Sequence, residues 1–456
     1  MGKQPEMEAE TPQELPPLYA SQDVNEPVEL YEGRMCLTVA AKPPLSGQGQ
    51  VSVQWTPFPA VYFDLSLAEY MPVQITSSDV RLDVSEIGVG CKVLLTGMTA
   101  SNTGTQYRGI AGTPIVVGEI ADCDEIRFAL PNFFSFFGHQ IRDSDATTFW
   151  GGRLRLQNRD LALVVDAGPS AKDLVGKLTR ESGYGITHTG SIKRKGGESI
   201  GFDEAEEILD SLYWLFSFCR GFRCGPILPV GRSGGKEVWR KWDVPDLAVC
   251  KAVETWFPYQ DPLTKVPELD ELFEGFRAKW EDVLWQEPIR EAIHWYCTSN
   301  LGSAGIEGSV ILTQTALELL SWVRLVEDPT TQKFSKTEFD GHMHADCRIR
   351  ELLMDCGIAA LDIPAGLGAL QAEATQLGAT DGPSAIVKIR NALVHPRVAN
   401  RERVSTTSPA GRGQALDLGL WYLEMVLLRL FNYSGIYYNR WTHGRVRDCR
   451  RRVPWA

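Results

Sequence analysis

The hydrophobic pattern changes period once, near residue 200, and that change limits what the chain can fold into. Before it, short apolar runs are separated by Gly, Pro, Ser and Asn. Segments 35–40, 51–55, 61–65, 80–84, 92–96, 114–120, 126–130, 153–157 and 161–166 read as strands. Several alternate, as in Arg153-Leu-Arg-Leu-Gln157, which suits a sheet with one wet face. Their number and regular spacing predict a sandwich or an open barrel.

After residue 200, apolar side chains recur every three to four positions, the period of a helix with one buried face. Asp203 can cap a helix whose stripe is Ile208, Leu212, Leu215, Phe216 and Cys219. A Gly- and Pro-rich turn at 221–229 ends it. Helices are then expected over 268–284, 288–299, 306–326, 345–356, 383–394 and 414–433. The fold class is therefore α+β and multidomain. Residues 1–28 are acidic and Pro-rich and read as a disordered tail. Residues 29–265 read as a strand-rich sandwich or barrel-like domain ending in a helix. Residues 266–456 read as an all-α bundle with a basic tail.

Composition narrows the class. Hydrophobic residues make up 43% and charged residues 23%, which excludes wholesale disorder, collagen and coiled coil. No apolar run approaches the ~20 residues of a membrane span. The nearest, 421–431, is interrupted by Glu424 and Arg429. The N-terminus lacks the apolar core of a signal peptide. Gly2 is followed by Glu6 where myristoylation needs Ser or Thr. The expected compartment is the cytoplasm. Ten cysteines are scattered without a CxxC pair, which reads as buried free thiols in a reducing compartment.

The net charge of −12 argues against nucleic acid until its distribution is considered. Residues 1–284 hold 40 acidic and 27 basic side chains, so 18 of the 58 acids and 19 of the 46 bases remain for 285–456. Arg440, Arg445, Arg447, Arg450, Arg451 and Arg452 crowd the end against one Asp448. An acidic front and a basic end suggest modules with different tasks. The arginines are candidates for RNA backbone contacts; the plainer reading is a solvated tail.

Two motifs look chemical, but a plainer reading outweighs each. Gly231-Arg-Ser-Gly-Gly-Lys236 is one residue short of a phosphate loop, and Glu237 stands where Ser or Thr would meet magnesium, so it reads as a surface loop. His342, His344 and Cys347 lie within six residues but lack a fourth ligand, so no metal is assigned.

Arg390-Asn391-Ala392-Leu393-Val394-His395 is the most informative hexapeptide. Arg390 can grip a phosphate with two parallel hydrogen bonds. His395 is the side chain whose proton moves near neutral pH. Pro396 disfavours helix at His395, which places that imidazole at the carboxyl end of a helix.

The hexapeptide lies on a helix of the bundle, just before the last long helix. In this it resembles HEPN domains, whose ribonuclease members carry an R-x4–6-H motif. The surrounding segment is similar to the ApeA-type HEPN group: Gln314-Thr-Ala-Leu-Glu318-Leu-Leu resembles its second helix, and the run from Leu427 to Arg440 resembles its closing segment. The resemblance covers about residues 270–440, and Pro396 departs from the small or flexible residue usual there.

The resemblance implies a ribonuclease of bacterial anti-phage, abortive-infection defence, cleaving RNA, with tRNA among the candidate targets. His395 would take the proton of the 2′-hydroxyl, Arg390 would stabilise charge on the phosphate, and Asn391 would orient either one. Glu318 is a candidate support, with a buried pairing to Arg390 as the plainer role. No cofactor is needed. The front domain would be a sensor, and a phage-derived trigger would fit it. A second catalytic group points to a homodimer, with Leu418, Trp421, Tyr422, Met425 and Leu428 as a candidate contact stripe. The alternatives are a non-catalytic HEPN protein that binds nucleotide or a partner, and a carbohydrate- or peptide-binding sandwich with a helical dimerisation domain.

Overall fold

The computed structural model describes residues 11–21, 23–39, 43–68, 79–101, 104–359, 361–395, 398, 407–442 and 446–456, without the side chains of 446 and 447. It is a mixed α/β, multidomain structure: strand-rich at the front and helical at the back. The strand-rich part, read from the sequence as one domain over 29–265, contains two separate sheets.

The first sheet is a closed barrel. Its strands are β1 (Val28–Val39), β2 (Leu45–Gln54), β3 (Ala60–Leu67), β4 (Val80–Val84), β5 (Val89–Ser101) and β6 (Gly104–Ala111). They close in the order β1-β2-β3-β6-β5-β4, so the barrel has no open edge. Alternation sends Leu37, Val53 and Leu65 inward, each without solvent exposure. The barrel's interior belongs to a hydrophobic cluster that also takes in Ala129, Tyr184, Tyr213, Ile227 and Trp242 from beyond the barrel.

The second sheet comprises β7 (Ile115–Gly118), β8 (Glu125–Pro131), β9 (His139–Arg142), β10 (Phe149–Gln157), β11 (Leu161–Ala167), β12 (Ile186–Arg194), β13 (Ile227–Ser233) and β14 (Lys236–Trp242). Their order is β7-β14-β13-β8-β12-β11-β10-β9, which leaves β9 as a terminal strand. A helix absent from the sequence reading, α1 (Ala171–Glu181), is inserted between β11 and β12. The expected helix is α2 (Phe202–Arg220), but Gly201 stands at its N-cap and Asp203 lies in the first turn without capping it; the helix covers one face of the sheet. Phe216 lies 5.2 Å from Phe133 and 6.4 Å from Phe128 across that contact. The opposite face is polar: Arg127, Arg153, Asp166, Thr189 and Ser191 lie on neighbouring strands there.

That polar face is covered by residues 11–21. Composition places them in a disordered tail, and the structure corrects this. The main chain of this strap is held by buried charged side chains, a contribution that hydropathy does not register. Residues 1–10 lie outside the described residues.

The helical part follows as α3 (Glu268–Trp280), α4 (Val283–Asn300), α5 (Gly305–Trp322), α6 (Lys336–His342), α7 (Ala345–Asp355), α8 (Gly368–Leu377), α9 (Gly382–Val394) and α10 (Pro409–Leu430). A short ribbon of β15 (Ile436–Tyr438) and β16 (Arg450–Arg452) follows α10. Local signals place several starts. Asp282, Ser335, Asp381 and Ser408 each accept a main-chain N–H at a helix N-cap. Ser335 and Glu338 form a reciprocal capping box.

α5 is the central helix and packs against α4, α7, α9 and α10. With its following turn, Gly305–Glu327, it is long and apolar enough by length and composition to cross a membrane, and 61% of its most apolar 18 residues are buried in the fold. The apolar run at 421–431, judged nearest to a span from the sequence, lies at the end of α10 with Glu424 fully buried inside it. The core is continuous from the second sheet into the helices. Phe218 of α2 lies 5.6 Å from Tyr296 of α4 and 5.9 Å from Phe431 after α10. The barrel is joined to the second sheet as well: its cluster runs on to Ala129, Ile186, Tyr213 and Trp242, and Trp55 stacks on Tyr184 at 5.6 Å.

Candidate functional site

The hexapeptide 390–395 forms the last turn of α9 and its cap. Asp381 accepts the Ser384 N–H at 2.8 Å and Pro383 occupies the first turn, so the start of the helix is fixed. Ala385, Ile386, Ile389 and Ala392 face the core. His395 leaves the helix with φ −96° and ψ 117°, as the following proline requires, while its N–H still reaches the Asn391 carbonyl at 3.2 Å. The imidazole is exposed.

Helical geometry decides which motif side chains meet. Asn391 and His395 are four apart and share a face, whereas Arg390 and His395 lie roughly 140° apart around the axis. Arg390 closes part of that gap by donating from Nη1 to Asn391 Oδ1 at 3.3 Å. Its Nε is buried and has no hydrogen-bond partner among the described residues. Asn391 is thus the bridge between the guanidinium and the histidine's face. Within the motif Ala392 is buried, while Leu393 and Val394 are only half-buried. Pro396 lies outside the described residues.

Glu318 is not brought to this cluster. A Cβ on Gly419 of α10 would lie 3.0 Å from Thr313 of α5 and 3.8 Å from Ile386 of α9, so these three residues share one level. A Cβ on Gly382 would meet Tyr422 and Leu418, which makes α9 antiparallel to α10. Glu307 pairs with Arg412 at 3.1 Å, which makes α5 parallel to α10. From the shared level Glu318 and Arg390 therefore run in opposite directions. At 1.5 Å per residue they end roughly 13 Å apart along the bundle. Glu318 accepts instead from Gln314 Nε2 at 2.6 Å. The expected pairing with Arg390 does not form among the described residues.

The basic end is also reassigned. Arg440 is 4% exposed and forms an ion pair with Glu424, which is 0% exposed. Tyr296 donates to the same carboxylate at 2.7 Å, and Arg440 also reaches Asn300 Oδ1 at 3.3 Å. Burial disfavours charge on Arg440, but Glu424 more than offsets this and holds its pKa up. Arg450 lies 3.5 Å from Asp261, and Arg452 lies 3.3 Å from Glu268. Arg451 is exposed and donates to the Arg450 carbonyl. Arg445 and the Arg447 side chain lie outside the described residues. The six arginines thus do not form one free basic rim. One is core, and two are tied to acids elsewhere in the chain.

The candidate dimer stripe is likewise interior. Leu418, Tyr422, Met425 and Leu428 have no exposure and Trp421 has 6%. They pack against α5 and α9 within one chain, so they offer no face to a second copy. Among the described residues no group of three or more His, Cys, Asp or Glu side chains is placed to hold a metal ion. His342 ends α6 and His344 caps α7. The 231–236 glycine run is the hairpin turn between β13 and β14, with Gly234 and Gly235 at positive φ.

Several polar groups escaped the sequence reading. His188 is buried against Phe133 and Phe136, and burial pushes its pKa down to about 3. Arg153 and Asp166 form a buried pair on the sheet's polar face, with Nη2 to Oδ2 at 2.6 Å. The alternation at 153–157 identified that face, but no sequence signal announced the partner. Besides a cleft of about 260 Å3 on the barrel beside Asp64, three clefts bear on the second sheet and the helices. One of about 510 Å3 lies between the strap and the second sheet. One of about 370 Å3 lies beside α2 and β14. One of about 280 Å3 lies between 253–260 and 438–449. None of the three includes Arg390 or His395.

Two family comparisons divide the chain much as the fold does. Residues 118–253, the second sheet with α2, match the YopA central domain. Residues 282–449, most of the helical part, match the YopA C-terminal domain. The chain is also similar to the "SPbeta prophage-derived uncharacterized protein YopA" of Bacillus subtilis, 28% identical over 445 residues, covering 95% of this chain and 96% of that protein. No solved structure matches.

Proposed function

We propose that this chain is a metal-independent endoribonuclease whose helical part is a HEPN-type bundle. The carrying observation is the end of α9, where an exposed His395 and a half-buried Arg390 with an unpartnered Nε flank Asn391. RNA brings its own nucleophile, the 2′-hydroxyl. His395 takes that proton as general base, a role worth typically 10²–10⁴-fold. Arg390 donates to the phosphate as charge builds in the transition state. Asn391, already bonded to Arg390, keeps the guanidinium at the imidazole's side of the helix. The 2′-oxygen–phosphorus bond forms and the phosphorus–5′-oxygen bond breaks. The products are a 2′,3′-cyclic phosphate and a 5′-hydroxyl.

One motif supplies one base and one guanidinium, and the leaving oxygen needs an acid. A homodimer that faces two α9 ends across a two-fold axis supplies the second His395. With the α10 stripe in the core, the exposed end of α9 is the surface left to make that contact. The reading places the protein in the cytoplasm, as an effector of abortive anti-phage defence with the barrel and second sheet as its sensor. A prophage-derived relative suits a conflict between competing phages. Purified protein incubated with total RNA tests the reading: cleavage that leaves cyclic phosphate ends and is lost in His395→Ala supports it.

A second reading is a binding protein without catalysis. It is favoured by the three clefts, which lie on the second sheet and at its border with the helices, away from α9. Intact RNA at high protein concentration, in both monomer and dimer, would favour it.

A further inference from the structure

The strap at 11–21 is bound as a foreign peptide would be. β9 is the terminal strand of the second sheet, and its edge would be open without the strap. Gln13 pairs with Arg142 in a parallel bridge. Glu14 N–H donates to the Arg142 carbonyl at 2.8 Å, and Arg142 N–H donates to the Pro12 carbonyl at 3.1 Å. The strap then leaves the edge and crosses the polar face of the sheet. There Arg153 Nη2 donates to the Gln13 carbonyl at 2.8 Å, and Leu15 N–H donates to Asp166 Oδ2 at 2.7 Å. Arg127 Nη2 donates to the Pro16 carbonyl at 2.6 Å.

Each of these contacts reads main chain, and none reads a strap side chain. Their donors and acceptors are expensive to place: Arg127, Arg153 and Asp166 are 3%, 7% and 3% exposed. Buried charges persist when hydrogen bonds satisfy them, and here the strap backbone completes the set. Arg127 keeps a buried Nε without a partner. These buried charges recognise backbone, and only further along is a strap side chain read, where Ser21 Oγ accepts the Ile186 N–H at 2.8 Å; the seam therefore accepts an extended segment able to adopt this path, with a preference for a hydroxyl at that end. Added-strand binding of this kind takes affinity from main-chain bonds and selectivity from side-chain pockets.

We infer that this seam is a binding site for an extended, proline-containing peptide of a partner protein, occupied at rest by the chain's own strap. Pro12, Pro16 and Pro17 bracket the bonded residues and hold them extended, lowering the entropy lost on docking. The cleft of about 510 Å3 beside the strap, lined by Tyr19, Ser21, Asp166, Ser170, Leu174 and Thr189 among others, gives a partner side-chain volume that the strap leaves unfilled. The resident segment also carries a flaw. Glu14 sits partly buried near Asp166 and Asp143, and burial followed by these like charges raises its pKa. A partner with a neutral residue at that position avoids the repulsion and has the advantage in exchange. The inference stands apart from the ribonuclease reading, since binding is measured without RNA.

The test uses the full chain and a fluorescent synthetic peptide with the sequence of residues 11–21. A tethered strap competes at an effective concentration of about millimolar. The double variant Glu14→Pro/Leu15→Pro removes two strap N–H donors and leaves the sheet untouched. It should bind the peptide at least ten-fold more tightly than wild type. The peptide carrying Glu14→Gln should bind tighter than the parent, and the peptide carrying both prolines should not bind. In wild type, excess peptide should speed hydrogen exchange at the Glu14 and Leu15 amides. That arm decides alone if the double variant does not fold. A folded double variant that ignores the peptide overturns the inference. So do equal affinity for both proteins, binding of the double-proline peptide, and strap amides that stay protected at millimolar peptide.

Discussion

Replacing Arg440 with leucine should damage the fold, and the structure sets the size of the effect. Glu424 has no exposure and its carboxylate is shared by Arg440 and Tyr296. Removing the guanidinium leaves an uncompensated buried charge, a loss of about 3–5 kcal/mol. It also leaves Asn300 Oδ1 without the two N–H groups that Arg440 donates to it at the end of α4. Urea unfolding followed by tryptophan fluorescence reads the loss, since Trp421 and Trp441 pack at 4.6 Å near the pair. The double variant Arg440→Leu/Glu424→Leu removes both charges and should recover most of the stability. It leaves the Tyr296 hydroxyl without its acceptor, a residual cost of about 1–3 kcal/mol. A single variant within about 1 kcal/mol of wild type would refute the reasoning, because changes of that size are typical of surface positions. Weakened RNA binding with a lower salt slope in that same stable variant would return Arg440 to a phosphate contact.

His395→Ala should leave the unfolding free energy within about 0.5 kcal/mol of wild type, as expected of an exposed side chain, while abolishing cleavage. Arg390→Ala should also abolish cleavage, and Arg390→Lys should not restore it if two parallel hydrogen bonds to phosphate are required. Cleavage should survive excess EDTA; complete loss restored by zinc would revive His342, His344 and Cys347. Glu14→Gln should protect the strap amides more strongly at pH 7 than wild type. The sign follows from its raised pKa: the ionised form is disfavoured when docked, so the penalty is present above the docked pKa and fades as pH falls toward 4.5. Hydrogen exchange at pH 7 and near pH 4.5 checks this, and an unchanged difference between the two proteins at both would contradict it.

Local signals were legible wherever a residue acts on its sequence neighbours. The strands at 51–54, 80–84 and 126–130, the apolar stripe of α2 and the start of α9 at Pro383 follow from alternation, helical period and proline, whereas the cap expected from Asp203 does not form. Sheet membership was not legible, because the same spacing serves both the barrel and the second sheet. Closure depends on β1 with β4 and β3 with β6, pairings between residues far apart in the chain. Charge misled in the same way. The arginines after Tyr438 look free in a linear reading, and Glu424, Asp261 and Glu268 become their partners only in three dimensions. Glu318 looked close to Arg390 because both sit on helices of one bundle. The opposed directions of α5 and α9 separate them.

The ribonuclease proposal meets its most direct test in the chemistry of RNA ends. RNA from cells expressing wild type and His395→Ala is sequenced after ligation that distinguishes 2′,3′-cyclic phosphate from 3′-hydroxyl ends. New cyclic phosphate ends paired with 5′-hydroxyl ends, present with wild type and absent with the variant, are predicted. Identical end profiles from both proteins, at matched expression and with phage challenge, would contradict it.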